Sequence, residues 1–307
     1  MAKLIVILGP TGSGKSSLAV KLALRLRSGL NKRNYKGVEI ISADSRQVYK
    51  NMAIGSNAIT KKEMLGIKHH LLEFVEPQKN FSAGQFQKLA RQKIKQIHKK
   101  RRLPFLVGGT GFYIDAVAEN KSLPKAKADK KLRQSLEKKT TKELFEILRK
   151  IDPKKSQTID KHNPRRLIRA IEIASSKIKN PESIISNPAK DKFDVLYIGV
   201  LKPQAKLKQD IAQRFIQWLE AGFLMEVEKL IKLGVSRKKF KEFGLHYWYA
   251  YLFLKKEIGF KDFWNKSLYS LWHYAKRQNT WFKKNKNIHW VKNVKQAGKI
   301  IKNFLKK

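Results

Sequence analysis

Short unbroken apolar runs alternate with stretches of helical period over the first ~115 residues of the chain. Leu4-Ile5-Val6-Ile7-Leu8 predicts a strand buried on both faces, and a helix from Lys15 to about Arg27 follows it. A basic turn containing Gly and Asn, from Asn31 to Lys36, leads to a second strand, Val38-Glu39-Ile40-Ile41-Ser42. A third apolar segment lies at His70-Leu71-Leu72, ahead of Glu76-Pro77. Ser82 is a candidate N-cap for a helix from about Ala83 to Lys100. Leu103-Pro104-Phe105-Leu106-Val107 predicts another buried strand, running into Gly108-Gly109-Thr110-Gly111. Strands alternating with helices in this way predict an α/β fold with a parallel sheet.

The pattern changes near residue 121. From Lys121 to Lys192 the chain is lysine-rich and mostly helical by period, broken at Pro153, Pro164 and Pro181. This predicts a smaller all-helical domain, residues 121–189, inserted into a core made of 1–120 and 190–307. Val195 to Val200 predicts a strand that returns the chain to the sheet. Helical stretches follow from about Pro203 to Leu233, with a break at Ala221-Gly222, and from about Trp248 to Phe282. A short strand, Ile288 to Val291, and a lysine-rich helix close the chain, and there is no internal repeat.

Between the first strand and its helix stands Gly9-Pro10-Thr11-Gly12-Ser13-Gly14-Lys15-Ser16, a G-x-x-x-x-G-K-[ST] phosphate-binding loop in the setting such a loop needs. Small residues let successive backbone N–H groups turn inward as an anion nest. The helix that follows points its positive end at the same place. Lys15 adds a charge for the terminal phosphates, and the Ser16 hydroxyl can ligate Mg²⁺. The core is therefore expected to be of the P-loop NTPase-like kind and to grip a diphosphate or triphosphate.

Composition narrows the classes. No apolar stretch approaches the ~20 residues of a membrane span, and the first run leads into the phosphate loop, so it reads as a strand and not a signal peptide. With no cysteine, disulfides, thiolate zinc sites and a cysteine nucleophile are excluded, and a reducing cytoplasm fits. Formal net charge is +44, from 68 Lys+Arg against 24 Asp+Glu, which favours a polyanionic partner such as RNA. Only 15 of those basic residues are Arg, so lysine filling solvated faces accounts for the excess equally well.

Several side chains are candidates for chemistry. Asp44, just past the second strand, sits where strand ends converge on a ligand crevice. It suits a general base or a water-mediated Mg²⁺ ligand, and equally the N-cap of a helix from Ser45. Arg214 lies on the edge of the stripe Ile211, Phe215, Trp218 and Leu219, where it either meets an anion or snorkels past packed surface. His69, His70 and His162 lack ligand spacing and read as structural. The aromatic stretch from Tyr247-Trp248-Tyr249 to Trp281-Phe282 reads as helix core with one or two rings exposed. Arg165 and Arg169 share a helix face suited to RNA phosphates or to solvent.

These segments together resemble the tRNA dimethylallyltransferase family. The resemblance runs from about residue 4 to 292 in order, through the phosphate loop, Ile-Ser-Ala-Asp-Ser-Arg-Gln-Val-Tyr (41–49), His-His-Leu-Leu (69–72) and Val-Gly-Gly-Thr-Gly-Phe-Tyr-Ile (107–114). It continues in Asn-Pro-Arg-Arg-Leu-Ile-Arg-Ala (163–170), Gln-Arg-Phe (213–215) and Ala-Lys-Arg-Gln-Asn-Thr-Trp-Phe (275–282). It implies a monomeric enzyme that uses Mg²⁺ to move a dimethylallyl group from dimethylallyl diphosphate to N6 of the adenosine 3′ of certain tRNA anticodons. Asp44 would accept the N6 proton, while Thr11 and Arg214 would hold the diphosphate beside Lys15. Asp44, Ser45, Arg46, Gln47, Thr110, Arg133, Arg165, Arg166, Leu167, Ile168 and Arg169 fall where the family contacts tRNA, the insertion clamping the anticodon stem-loop.

The chain departs from the family's pattern at Ala53, where an acidic residue is usual, at Ser56, where Thr is usual, and at Gly244-Leu245-His246, where Gly-Tyr-Arg/Lys is usual. Two other readings share the loop: a prenyltransferase acting on free adenine nucleotides, and an RNA-binding protein switched by a nucleotide. Neither requires an RNA-clamping insertion together with Asp44.

Overall fold

A computed structural model describes residues 1–29, 35–124, 126, 129–179 and 192–306. The turn expected at Asn31 and the break expected at Pro181 lie outside the described residues. Two compact units divide the chain, one made of Met1–Glu119 with Asp191–Lys307, the other of Asn120–Lys190.

The larger unit starts with β1 (Ala2–Leu8), α1 (Lys15–Gly29), β2 (Val38–Ser42), the single turn α2 (Lys61–Met64) and β3 (His69–His70). After these come α3 (Ala83–Lys99), β4 (Leu103–Gly108) and α4 (Gly111–Ala118). The insertion holds α5 (Lys130–Leu136), α6 (Thr141–Ile151), α7 (Pro153–Ser156) and α8 (Pro164–Lys179). The chain returns through β5 (Phe193–Val200), α9 (Gln204–Glu220), α10 (Phe223–Lys232), α11 (Arg237–Phe243), α12 (Leu245–Leu254), α13 (Phe260–Phe282), β6 (Ile288–Val291) and α14 (Val294–Lys306).

The six strands form one parallel sheet in the order β3-β2-β4-β1-β5-β6. Leu4 to Leu8 are buried, as an unbroken apolar run requires of a central strand with helices on both faces. Register decides where the loops emerge. Leu8 pairs with Gly108 and Ser42 with Val107, so β1, β4 and β2 end at one level. The phosphate loop, Asp44 and Thr110 therefore leave the sheet side by side. A close backbone approach fixes this edge: a Cβ on Gly108 would lie 2.1 Å from the Ala43 carbonyl oxygen.

Prolines and caps set several boundaries. The helical stretch of the insertion is broken at Pro153 and Pro164 as expected, and these prolines open α7 and α8, because a first-turn residue has no intrahelical N–H bond to lose. Ser82 caps α3 through a reciprocal capping box with Gln85. The stretch expected from Trp248 to Phe282 is two helices, since Lys256 takes a left-handed φ of 57° and Gly259 follows; α11 before it is unexpected. The aromatic side chains of this region do form a core, in which Phe215, Phe223, Phe240, Phe243, Tyr247 and Phe263 are buried together with Val48, Tyr49 and Met52 from the segment after β2. Tyr269 is exposed. No helix among the described residues is long and apolar enough to cross a membrane.

Gly108→Ala is expected to destabilise the protein by about 1–3 kcal/mol or more, because backbone on both sides must yield. A thermal melt of the variant checks this; an unchanged midpoint would mean that β2 and β4 part freely.

Candidate active site

The phosphate loop has the backbone its sequence demands. Gly12 and Gly14 both adopt φ of 86°, the left-handed region that glycine enters at no steric cost. At Gly12 a side chain would also meet Leu207 and Ile211 of α9 at 3.0 and 3.1 Å, so α9 packs onto the loop. Ser13 is buried, with its hydroxyl 2.7 Å from where a Gly9 Cβ would stand, so it fills space beneath the loop. Lys202 donates to the Gly12 carbonyl at 2.9 Å and pairs with Asp210, tying the start of α9 to the same loop. This anchor is missing from the sequence reading; a Lys eight residues before an Asp carries no recognisable signal.

Lys15 and Arg214 are the two cations of the crevice. Burial pushes the Lys15 ammonium down to about 8, against the pull of the Asp44 carboxylate and reinforced by Arg214. Lys15 reaches the Pro10 carbonyl at 3.4 Å, a long contact that leaves its charge poorly compensated. Burial also lowers the Arg214 guanidinium, with Asp210 and Glu63 pulling it back. Arg214 makes no ion pair within 4.0 Å among the described residues. Two desolvated, mutually repelling cations beside a nest of amides define a site for a multiply charged anion.

Asp44 does not cap a helix. Its Oδ1 accepts from the Arg46 N–H at 2.9 Å and closes a tight turn. Thr110 stands at the N-cap of α4 without a side-chain cap bond; its hydroxyl instead accepts the Ser45 N–H at 3.0 Å, with Tyr274 close by. Burial raises the Tyr274 hydroxyl, and the nearby Asp44 charge raises it further, against Arg46. Thus Asp44, Lys15, Arg214 and Thr110 come together as expected, and Tyr274 joins them unforeseen. Its signal was present only as an aromatic residue in a stretch already read as core.

Gln47 has partners within the protein. Its amide accepts from Ser42 at 2.8 Å and donates to the Asn57 and Ser56 carbonyls at 2.9 and 3.3 Å, so it braces the loop. Glu226 braces the same loop, accepting from the Ile54 and Gly55 N–H groups at 2.7 and 3.0 Å and from Tyr247 at 2.8 Å. His246 bonds the Gly55 carbonyl at 3.0 Å, and burial holds it down to about 4, so its ring is neutral at pH 7. No group of three or more His, Asp or Glu side chains suited to a metal exists among the described residues. The residues present fit an Mg²⁺ ion that arrives with phosphate oxygens and adds the half-buried Ser16 hydroxyl as one protein ligand.

In the insertion the expected RNA residues divide. Leu167 and Ile168 are core side chains with Leu144 and Leu148, which corrects their assignment to an RNA surface. Glu172 is fully buried, with Arg133 bonding it at 2.5 and 2.8 Å and Arg169 at 3.2 Å. A buried carboxylate needs such partners, so both arginines serve the fold of the insertion first. Arg165 and Arg166 are exposed.

The geometry defines a phosphate-loop protein whose loop faces a carboxylate across the ends of a parallel sheet. A profile of the IPP transferase family matches residues 47–285. A tRNA dimethylallyltransferase of Finegoldia magna is 37% identical over 295 residues, covering 94% of this chain and 90% of that protein. One of Acetivibrio thermocellus is 36% identical over 99% of this chain and 96% of its own length. The crystal structure of the full-length tRNA isopentenylpyrophosphate transferase of Bacillus halodurans superposes with a TM-score of 0.73 at 33% identity, covering 100% of this chain and 97% of that one. The chain belongs to the IPP transferase family.

Because Lys15 titrates near 8 in the free protein and near 10.4 when unfolded, the unfolded chain holds the extra proton between those values. The cost of this burial is thus fully present below pH 8 and relieved as pH rises towards 10. A bound diphosphate favours the charged form, so binding takes up a proton above pH 8. Titrations with Mg²⁺-pyrophosphate should show affinity falling more steeply with pH above 8 for the native protein than for Lys15→Met, the difference approaching about tenfold per pH unit. Parallel pH curves would show that Lys15 does not meet the anion.

Proposed function

We propose that the protein transfers a dimethylallyl group from dimethylallyl diphosphate to N6 of the adenosine 3′ of the anticodon in tRNA. The observation that carries this reading is the glycine-built phosphate loop, with the buried cations Lys15 and Arg214, opening at the same sheet edge as Asp44. The adenine amino group is a poor nucleophile, so the reaction needs both a base and a stabilised leaving group. As the N6–C1 bond forms, the C1–O bond to the diphosphate breaks and N6 loses a proton. Asp44 takes that proton. The amides of Gly9 to Ser16, with Lys15, Thr11 and Arg214, receive the charge that grows on the departing diphosphate. The Ser16 hydroxyl would hold an Mg²⁺ ion arriving with the diphosphate, which would further neutralise the leaving group. A stacked anticodon-loop base must be extruded to reach Asp44, at a cost of a few kcal/mol.

Contacts to tRNA phosphates from basic surface offset that cost. Arg165 and Arg166, exposed at the start of α8, are our choice for part of that surface, with the anticodon stem-loop as its target. We also take the protein to work as a monomer in the cytoplasm. The absence of cysteine and of any membrane-spanning helix among the described residues supports the location.

Incubating the protein with dimethylallyl diphosphate, Mg²⁺ and either unmodified tRNA or AMP should add dimethylallyl to tRNA alone, as read by mass spectrometry. Label in AMP alone would favour the free-nucleotide enzyme, and tight ATP binding without label would favour the nucleotide switch. Asp44→Ala should cut transfer by about 10²–10⁴-fold with tRNA binding retained; wild-type turnover would refute the base. Arg165→Gln and Arg166→Gln should each lower the slope of log affinity against log salt by about 1. An unchanged slope would move the RNA path elsewhere.

A further inference from the structure

Asp44 and the phosphate loop leave strands that are not neighbours, since β4 lies between β1 and β2. Their separation must nevertheless match one reaction, with the base on one side of the allylic carbon and the leaving oxygen on the other. One face of α13 spans that gap. Gln278, only 6% exposed, accepts the Thr11 N–H at 2.8 Å and donates to the Gly109 carbonyl at 2.7 Å. A backbone N–H only donates and a carbonyl only accepts, so the orientation of this amide is fixed by its partners. Four residues earlier, on the same face, Tyr274 lies beside Thr110, whose hydroxyl accepts the Ser45 N–H.

We infer that Gln278 is a positioning residue that sets the distance between the Asp44 base and the diphosphate cradle, by binding Thr11 and Gly109 with one amide. The inference rests on the transferase reading above. Among primary-amide side chains only Asn also offers a donor and an acceptor on one plane, and it is shorter by a methylene; a neutral His ring offers both too, but from nitrogens on different sides of the ring. The turn is cut to receive this group. A Cβ on Gly109 would stand 2.3 Å from Gln278 Nε2, while its next contacts, at 3.4 and 3.5 Å, are ordinary. One turn further along α13, Trp281 donates to Asp115 at 3.0 Å and lies 2.3 Å from where a Gly111 Cβ would be, so the helix is seated on α4 as well.

The geometry supplies its own test. Gly109→Ala should displace the Gln278 amide and little else; Gln278→Ala removes the amide and makes room for the new methyl. Each single variant is expected to lower the single-turnover rate at saturating substrates by about 10²-fold, the penalty of a small misplacement, with tRNA affinity unchanged. The double variant should lose no more than either single one. Losses that multiply to about 10⁴-fold would overturn the inference. So would a Gln278→Ala protein that melts earlier yet turns over at the native rate, the result of a merely structural role. Gln278→Glu, which keeps the acceptor for Thr11 but turns a carboxylate oxygen on the Gly109 carbonyl, should be as slow as Gln278→Ala. If the native protein transfers nothing to tRNA, the transferase reading fails by itself. Gln278 is then judged by pyrophosphate affinity, which should weaken about tenfold in Gln278→Ala as Thr11 loses its anchor; an unchanged affinity would overturn its positioning role too.

Discussion

Two positive charges held out of water against each other are the constraint around which the larger unit is arranged. Lys15 and Arg214 repel and burial penalises both, while Asp44 acts on Lys15, and Asp210 and Glu63 on Arg214, to offset part of the excess. A protein tolerates such a pair where an anion completes it, in the way that buried charges elsewhere are paired. The loop amides and the positive end of α1 add to the same field, so a multiply charged phosphate is the natural complement. In the proposed reaction the same arrangement would aid catalysis, because a field already in place where a departing diphosphate gathers charge costs no reorganisation at that moment.

Parallel β-structure delivers Asp44 to this field. Register brings β1, β2 and β4 to a common level, and Gly108 lets the Ala43 backbone come close enough for Thr110 to hold Ser45. The loop after Asp44 is then secured from the helical side by Glu226, His246 and the buried Val48, Tyr49 and Met52. Ala53, where the resemblance leads one to expect an acid, sits in this braced segment, and Glu226 supplies the carboxylate that holds the neighbouring Ile54 and Gly55 amides. His246 is accommodated because it is neutral and bonded to a carbonyl. Nothing in the structure explains the change to Ser56, whose hydroxyl is buried without a hydrogen-bond partner.

Features set by local pattern were legible in the sequence. The unbroken run Leu4–Leu8, the phosphate loop, the cap at Ser82 and Asp44 at a strand end are all short-range signals, and each stands where the pattern puts it. What depends on a distant partner was not legible. Arg133 and Arg169 read as RNA contacts until the buried Glu172 claims them, 39 residues from the first. Leu167 and Ile168 sit between arginines in sequence but face the core of the insertion. Gln278 lay inside a recognised motif, yet its partners Thr11 and Gly109 are 267 and 169 residues away. Tyr274 was hidden for the same reason, because a helix-spaced aromatic says nothing about the hydroxyl it meets.

In the proposed reaction the phosphate loop serves a leaving diphosphate and not a nucleotide to be hydrolysed. A single turnover with dimethylallyl diphosphate and tRNA, followed for both products, tests it most directly. The account predicts one intact pyrophosphate released for every adenosine alkylated at N6, and no dependence on ATP. Alkylation that requires ATP, or release of orthophosphate in step with turnover, would contradict it.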